Sequence, residues 1–204
     1  GKNACILHYT KNNSKLKNGH LLLTDAAAEY ENYASDITRT IPVNGKFTRA
    51  QKIVYEIVLN AQKKAIKKCI VGNYWSDIHR EAVKAITRGL IDIGIIKDNL
   101  KNALNKRKHE KFYMHSTGHW LGLDVHDPCE YPDGKRALKL RSGMVFTVEP
   151  GIYIKAEKSI PSMFHDIGIR IEDDILISKK GPTVLTSSLP KEIDDIEKIM
   201  RKNG

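Results

Sequence analysis

The sequence predicts an α+β fold in which strands at both ends of the chain enclose a helical middle. Three observations carry this. Short apolar runs rich in β-branched residues lie near residues 21–43 and again beyond residue 143. Between them, apolar residues recur with a period close to 3.6. Turn residues such as Asn44-Gly45, Gly72 and Gly94 separate the segments.

The first stretch, about residues 4–47, reads as β structure. HLLLTDAAAEY supplies a short apolar strand carrying Asp25. YASDITRTIPV returns, with Ile37, Thr38, Thr40 and Val43 favouring a strand. Asp25 and Asp36 then lie on adjacent strands and face each other if the register permits, since an antiparallel pair brings opposed side chains to about 5 Å. Thr48 is placed to cap a helix. Its apolar face holds Ile53, Val54, Ile57, Val58, Ala61, Ala65 and Cys69, and Gly72 ends the segment. Ser76 or Asp77 is expected to cap a second helix, with Ile78, Ala82, Val83, Ile86, Leu90 and Ile93 on one face and Gly94 at its end. A third, more polar helix is expected over about residues 97–108.

From Phe112 the pattern changes back. VHDPCEYPDGKR reads as a loop, residues 143–154 as a strand interrupted at Pro150-Gly151, and residues 167–177 as one further strand. Ile193, Ile196, Ile199 and Met200 predict a helix over about residues 190–202. The acid-bearing strands at both ends suggest two related halves around one site.

The bulk numbers set bounds. With 204 residues, 41% hydrophobic and 28% charged, the chain is expected to form one soluble globular domain. No apolar run approaches the roughly 18 residues of a membrane span, so no membrane partner is expected. GKNACILHYT has no signal-peptide layout, which points to the cytoplasm. Cys5, Cys69 and Cys129 show no metal-type spacing and read as free thiols in a reducing compartment. The net charge of +10 raises nucleic acid as a partner. The lysines, however, are spread over helical stretches such as KKAIKKC and KNALNKRKHEK, as solvated helix faces require. No zinc-finger spacing or aromatic RNA-binding signature accompanies them, so no nucleic acid is expected.

Asp25, Asp36, His119, Glu149 and Glu172 stand out as a two-metal ligand set. Each lies in an apolar stretch: LLLTDAAAEY, YASDITRT, HSTGHWLGLDVHD, FTVEPGIYI and GIRIEDDILI. Four carboxylates buried together repel one another and raise each other's pKa unless cations compensate. Oxygen ligands with one imidazole suit Mn²⁺, Fe²⁺, Co²⁺ or Zn²⁺. Taken singly, each acid has an ordinary reading. Asp25 could begin a turn, Asp36 could pair with Arg39, and Glu149 could precede a loop. Glu172 could neutralise Arg170, with Asp173 and Asp174 solvated. His115-x-x-x-His119 has zincin spacing, but position 116 is serine, and Gly118 and Gly122 disfavour a helix.

Together, HSTGHWLGLDVHD, GMVFTVEPGIYI, GIRIEDDILI, ILHYT and DAAAEYENYASDITRTIPVNGKF resemble the signature of Xaa-Pro aminopeptidases (aminopeptidase P). The resemblance runs from about Asn3 to the final helix. It implies the pita-bread fold, an antiparallel curved sheet with helices packed on its outer face, here incomplete at the N-terminus. Family catalytic domains have further helices and a strand before ILHYT, and usually a separate N-terminal domain. Carried over by motif, Asp25 chelates one cation, Asp36 and Glu172 bridge both, and His119 and Glu149 complete the second. His8, His115 and His126 match histidines that contact substrate or lie around the metals. Arg170 matches an arginine that orients Asp25.

The implied activity is removal of the N-terminal residue from peptides with proline in second position. It uses a hydroxide bridging two divalent cations, most simply Mn²⁺. Glu149 is expected to shuttle the proton, and His115 or His126 to stabilise the oxyanion. The resemblance also implies a parent protein that forms homo-oligomers. Two alternatives stand beside it: a prolidase-type X-Pro dipeptidase, and a metal-free binding module without catalysis.

Overall fold

A computed structural model describes residues 1–129 and 138–202. A 3-10 turn at Lys2–Cys5 and irregular chain lead to β1 (Leu21–Ala26), so regular β structure begins later than residue 4. The small hairpin of β2 (Glu29–Tyr30) and β3 (Tyr33–Ala34) reverses the chain through Glu31 and Asn32, both at positive φ. β4 (Ile37–Pro42) then returns along β1. Their register sets Asp25 opposite Thr38, while Asp36 lies just before β4. The two aspartates are therefore not opposed across the ladder as expected. The intervening hairpin leaves Asp36 outside it, although the two carboxylates still lie within 4.8 Å.

α1 (Arg49–Ile66) starts at the expected cap. Gln51 N donates to Thr48 Oγ1 at 3.3 Å, and Thr48 N donates to Gln51 Oε1 at 2.9 Å, a reciprocal capping box. Val54, Val58, Ala61 and Ala65 are fully buried along one face. α2 (Trp75–Asp92) packs against α1, but its cap differs from expectation. Tyr74 occupies the cap position, and Asp77 works from inside the first turn by accepting the Tyr74 N–H at 2.9 Å. α3 (Leu100–Asn105) is shorter than expected and is capped by Asn99, whose side chain accepts from Asn102 N at 3.0 Å.

β5 (Val145–Val148) and β6 (Gly151–Ile154) break at Glu149-Pro150, close to the predicted interruption. The run over 167–177 is two strands rather than one. β7 (Ile167–Arg170) pairs with β6, whereas β8 (Asp173–Ser178) pairs with β5 and with β9 (Gly181–Val184). Isoleucines on both sides of Glu172-Asp173-Asp174 make the segment read as one strand, and the pattern does not reveal where the chain changes partner. Glu149 and Glu172 consequently occupy two facing breaks, where neither belongs to a ladder. α4 (Ile193–Lys202) closes the described chain.

One apolar core joins the strands to the inner faces of α1 and α2. Phe146, Val148, Ile152, Ile169 and Ile175 meet Val54, Val58 and Ile86, all fully buried. Residues 125–129 form no helix or strand, and the remainder of the expected loop, 130–136, lies outside the described residues. Cys5 and Cys69 are buried free thiols. No helix among the described residues is long and apolar enough to cross a membrane.

Candidate metal centre

All five proposed ligands line one cavity of about 790 Å³. The same cavity is lined by His8, His115, His126 and Arg170, the other residues that the family resemblance marks. Asp25, Asp36 and Glu172 each offer an oxygen within 4.8 Å of the others. His119, Glu149 and Glu172 form a second such group, and Asp36, His119 and His126 a third. Glu172 thus belongs to two ligand groups, as does Asp36.

The loop carrying His119 is fixed by β5. Thr147 N donates to His119 O at 2.9 Å, and His119 N donates to Thr147 Oγ1 at 3.0 Å. This contact requires glycine at 118, where a Cβ would lie 1.9 Å from the Thr147 carbonyl oxygen. His119 Nδ1 lies 3.0 Å from Trp120 O, to which it donates as the Nδ1–H tautomer. That leaves Nε2 facing Asp36 Oδ2 at 3.4 Å, Glu149 Oε1 at 3.6 Å and Glu172 Oε1 at 4.0 Å. A backbone carbonyl on one ring nitrogen is how metal-binding histidines are commonly oriented.

The electrostatics are those of crowded, buried acids that Arg170 and His119 offset only in part. Burial raises Glu149 to about 7. Burial, then the charges of Glu149 and Asp36, raises Glu172 well above the ordinary range. Asp25 is also raised by burial, against the pull of Arg170. Burial opposes ionisation of Asp36 too, but hydrogen bonds with His119 and Asp25 hold it low. Burial works against a charged His119, yet the Asp36 and Trp120 hydrogen bonds raise its pKa overall. Glu172 Oε2 accepts from Thr38 Oγ1 at 2.6 Å, while the buried Oε1 has no partner. An orphaned carboxylate oxygen facing a histidine nitrogen and other acids fits a divalent cation.

Arg170 braces the other end. Its Nη2 donates to Asp25 Oδ2 at 2.5 Å, Nε to Thr38 Oγ1 at 3.0 Å and Nη1 to Tyr153 OH at 3.1 Å. His115 Nδ1 lies 2.7 Å from Ser116 O, and its Nε2 lies 2.9 Å from Tyr153 OH. Both ring nitrogens are engaged, and burial pushes His115 down to about 4.

Several contributors escaped the sequence reading. Thr38, Thr147 and Tyr153 carry no charge and sit in ordinary strand text. Asp173 and Asp174, read as possibly solvated, are buried. Arg39 pairs with Asp173 at 2.7 Å, not with Asp36. Asp174 accepts the Asp36 N–H at 3.3 and 3.2 Å. Three consecutive acids are the only sequence signal that this strand end does more than meet water.

Comparison with known proteins agrees with this geometry. The model of metallopeptidase family M24 matches residues 1–179. The chain is 48% identical to the Xaa-Pro aminopeptidase of Haemophilus influenzae over 98% of its own length and 46% of that protein's. It is 44% identical to the Escherichia coli Xaa-Pro aminopeptidase over 98% of its length and 45% of that relative's. The chain therefore spans less than half the length of these relatives. The solved structure of Pseudomonas aeruginosa aminopeptidase PepP superposes with a TM-score of 0.97 at 43% identity, covering 99% of this chain and 46% of that one. The architecture is thus the pita-bread fold of aminopeptidase P, and the chain belongs to metallopeptidase family M24.

Proposed function

We propose that the protein containing this chain is a dinuclear metallo-aminopeptidase that releases the N-terminal residue from peptides with proline in second position. The observation that carries this is the convergence of Asp25, Asp36, His119, Glu149 and Glu172 on one cavity, with Glu172 Oε1 buried and unpartnered. Asp25, Asp36 and Glu172 would hold one cation, and Asp36, His119, Glu149 and Glu172 the other. Mn²⁺ suits this oxygen-rich donor set. Two such cations, when bound, supply a water of lowered pKa and a clamp for developing negative charge. The similarity to Xaa-Pro aminopeptidases supports the substrate class.

The chain's own groups divide the remaining work. Glu149, at the break between β5 and β6 with Oε1 3.6 Å from His119 Nε2, is the carboxylate suited to accept a proton and return it to the leaving proline nitrogen. His126 packs its ring 4.2 Å from that of His119 and lines the cavity, where it can donate to the scissile carbonyl oxygen. The family resemblance offers His115 beside His126 for this role. Its two nitrogens are committed to Ser116 and Tyr153, so it is better suited to orient Tyr153 and Arg170. His8 lines the same cavity, where it can contact the peptide.

The test is release of the first residue from an X-Pro-X tripeptide by the full-length protein with added Mn²⁺. Turnover of the tripeptide, with little on X-Pro dipeptides, is expected. No turnover with both cations bound would reject the assignment.

A further inference from the structure

Arg39 lies behind the candidate centre, outside the cavity, yet it contacts the backbone on both sides of it. Its Nη1 donates to Glu172 O at 2.5 Å and to Thr38 O at 3.0 Å. Its Nη2 donates to Asp173 Oδ1 at 2.7 Å and Leu189 O at 3.0 Å, and its Nε to Pro190 O at 3.1 Å. All five guanidinium N–H groups are used, four of them on acceptors that belong to backbone. The two acceptors nearest the cavity belong to Glu172 itself and to Thr38, whose hydroxyl holds the Glu172 carboxylate at 2.6 Å. Glu172 N in turn donates to Thr38 O at 3.1 Å.

This matters because Glu172 sits in the break between β7 and β8. No ladder fixes its peptide there. Its N–H is held by β4 and its C=O by Arg39, so the arginine supplies the second backbone anchor that a strand would otherwise provide. Asp173 ties the guanidinium in place. It is fully buried and also accepts from Lys191 Nζ at 2.5 Å, Gln62 Nε2 at 2.8 Å and Thr186 Oγ1 at 2.7 Å.

We propose that Arg39 is a positioning residue for the metal centre: by joining the Glu172 carbonyl to the Thr38 carbonyl, it sets where the Glu172 carboxylate points. The inference rests on the dinuclear reading above. A lysine keeps the charge beside Asp173 but cannot reach five acceptors in one plane. Lys191 provides the control. It contacts the same buried Asp173 but no backbone of a proposed ligand, so its loss weakens the cluster without releasing Glu172.

The experiment compares wild type, Arg39→Lys, Arg39→Met and Lys191→Met in the full-length protein. Thermal melts in chelator give the stability of each metal-free form. Calorimetric titration with Mn²⁺ gives affinity and number of sites, and the visible spectrum with Co²⁺ reports coordination. Both Arg39 variants are expected to lose about tenfold or more in affinity for at least one cation and to shift the Co²⁺ bands. Lys191→Met is expected to melt lower but to keep wild-type affinity and spectrum. Wild-type affinity and spectrum in both Arg39 variants would overturn the inference alone. So would losses in Lys191→Met equal to those in the Arg39 variants. A wild-type protein that takes up no cation would overturn the dinuclear reading, and this inference with it.

Discussion

Thr38 Oγ1 donates to Glu172 Oε2 at 2.6 Å and leaves Glu172 Oε1 buried without a partner. One oxygen of this carboxylate is anchored by the protein, and the other is presented to a cavity lined by three further acids. In the absence of a cation the arrangement works against stability. The raised pKa of Glu172 means that its contribution to the fold is full at low pH and is lost as pH rises through its folded value.

Glu172→Gln is therefore expected to melt higher than wild type in chelator at pH 8, by about 1–2 kcal/mol, because a neutral amide replaces a repelled carboxylate. The same variant should lose the stabilisation that Mn²⁺ gives to wild type, about 2.7 kcal/mol at a hundredfold excess over Kd. Paired melts with and without Mn²⁺ check both halves. A variant that is less stable in chelator and still responds fully to Mn²⁺ would contradict this account.

Metal uptake should also release protons. Glu149 is raised to about 7, and Asp25, Glu172 and His119 are raised as well. Each must lose its proton to become a ligand, so affinity is expected to climb as pH rises through about 7 and to fall below it. Calorimetry in two buffers of different ionisation heat, at pH 6.5 and 8, counts the protons. More should be released at 6.5, and an equal count at both pH values would be inconsistent with the raised carboxyls.

Gly118→Ala is expected to destabilise the protein by about 3 kcal/mol or more. Its Cβ would meet the Thr147 carbonyl oxygen at 1.9 Å, so the loop bearing His119 must move off β5. Chemical denaturation measures the loss. If stability fell by less than about 1 kcal/mol, the close approach would not be the reason for glycine here.

Tyr153→Phe removes the hydroxyl shared by His115 Nε2 and Arg170 Nη1, and should cost about 1–2 kcal/mol because two buried donors or acceptors lose their partner. Its effect on kcat with an X-Pro-X peptide should exceed its effect on KM, since it loosens the brace on Asp25 more than the peptide contacts. A change confined to KM would place Tyr153 in substrate binding instead.

What could be read in the sequence follows from what makes a residue conspicuous. Asp25, Asp36, Glu149 and Glu172 were legible because an acid amid apolar strand residues needs a reason. The Thr48 cap and the apolar face of α1 were legible because both depend on near neighbours. Register was not. Asp25 faces Thr38 because a six-residue hairpin pulls Asp36 out of the ladder, and nothing in YASDITRT shows it. The partner change at Ile171-Glu172 was hidden for a related reason: β7 and β8 are both buried, so apolar residues on either side of the acids read as one strand. Asp173 looked solvated because its compensating charges, Arg39 and Lys191, are distant in sequence.

The most direct test is the metal count of the full-length protein after equilibration with Mn²⁺ and removal of free ions, by mass spectrometry. The account predicts two equivalents per chain, falling to one or none in Glu172→Gln. A folded wild-type protein that retains no cation, or a Glu172→Gln variant that still retains two, would contradict it.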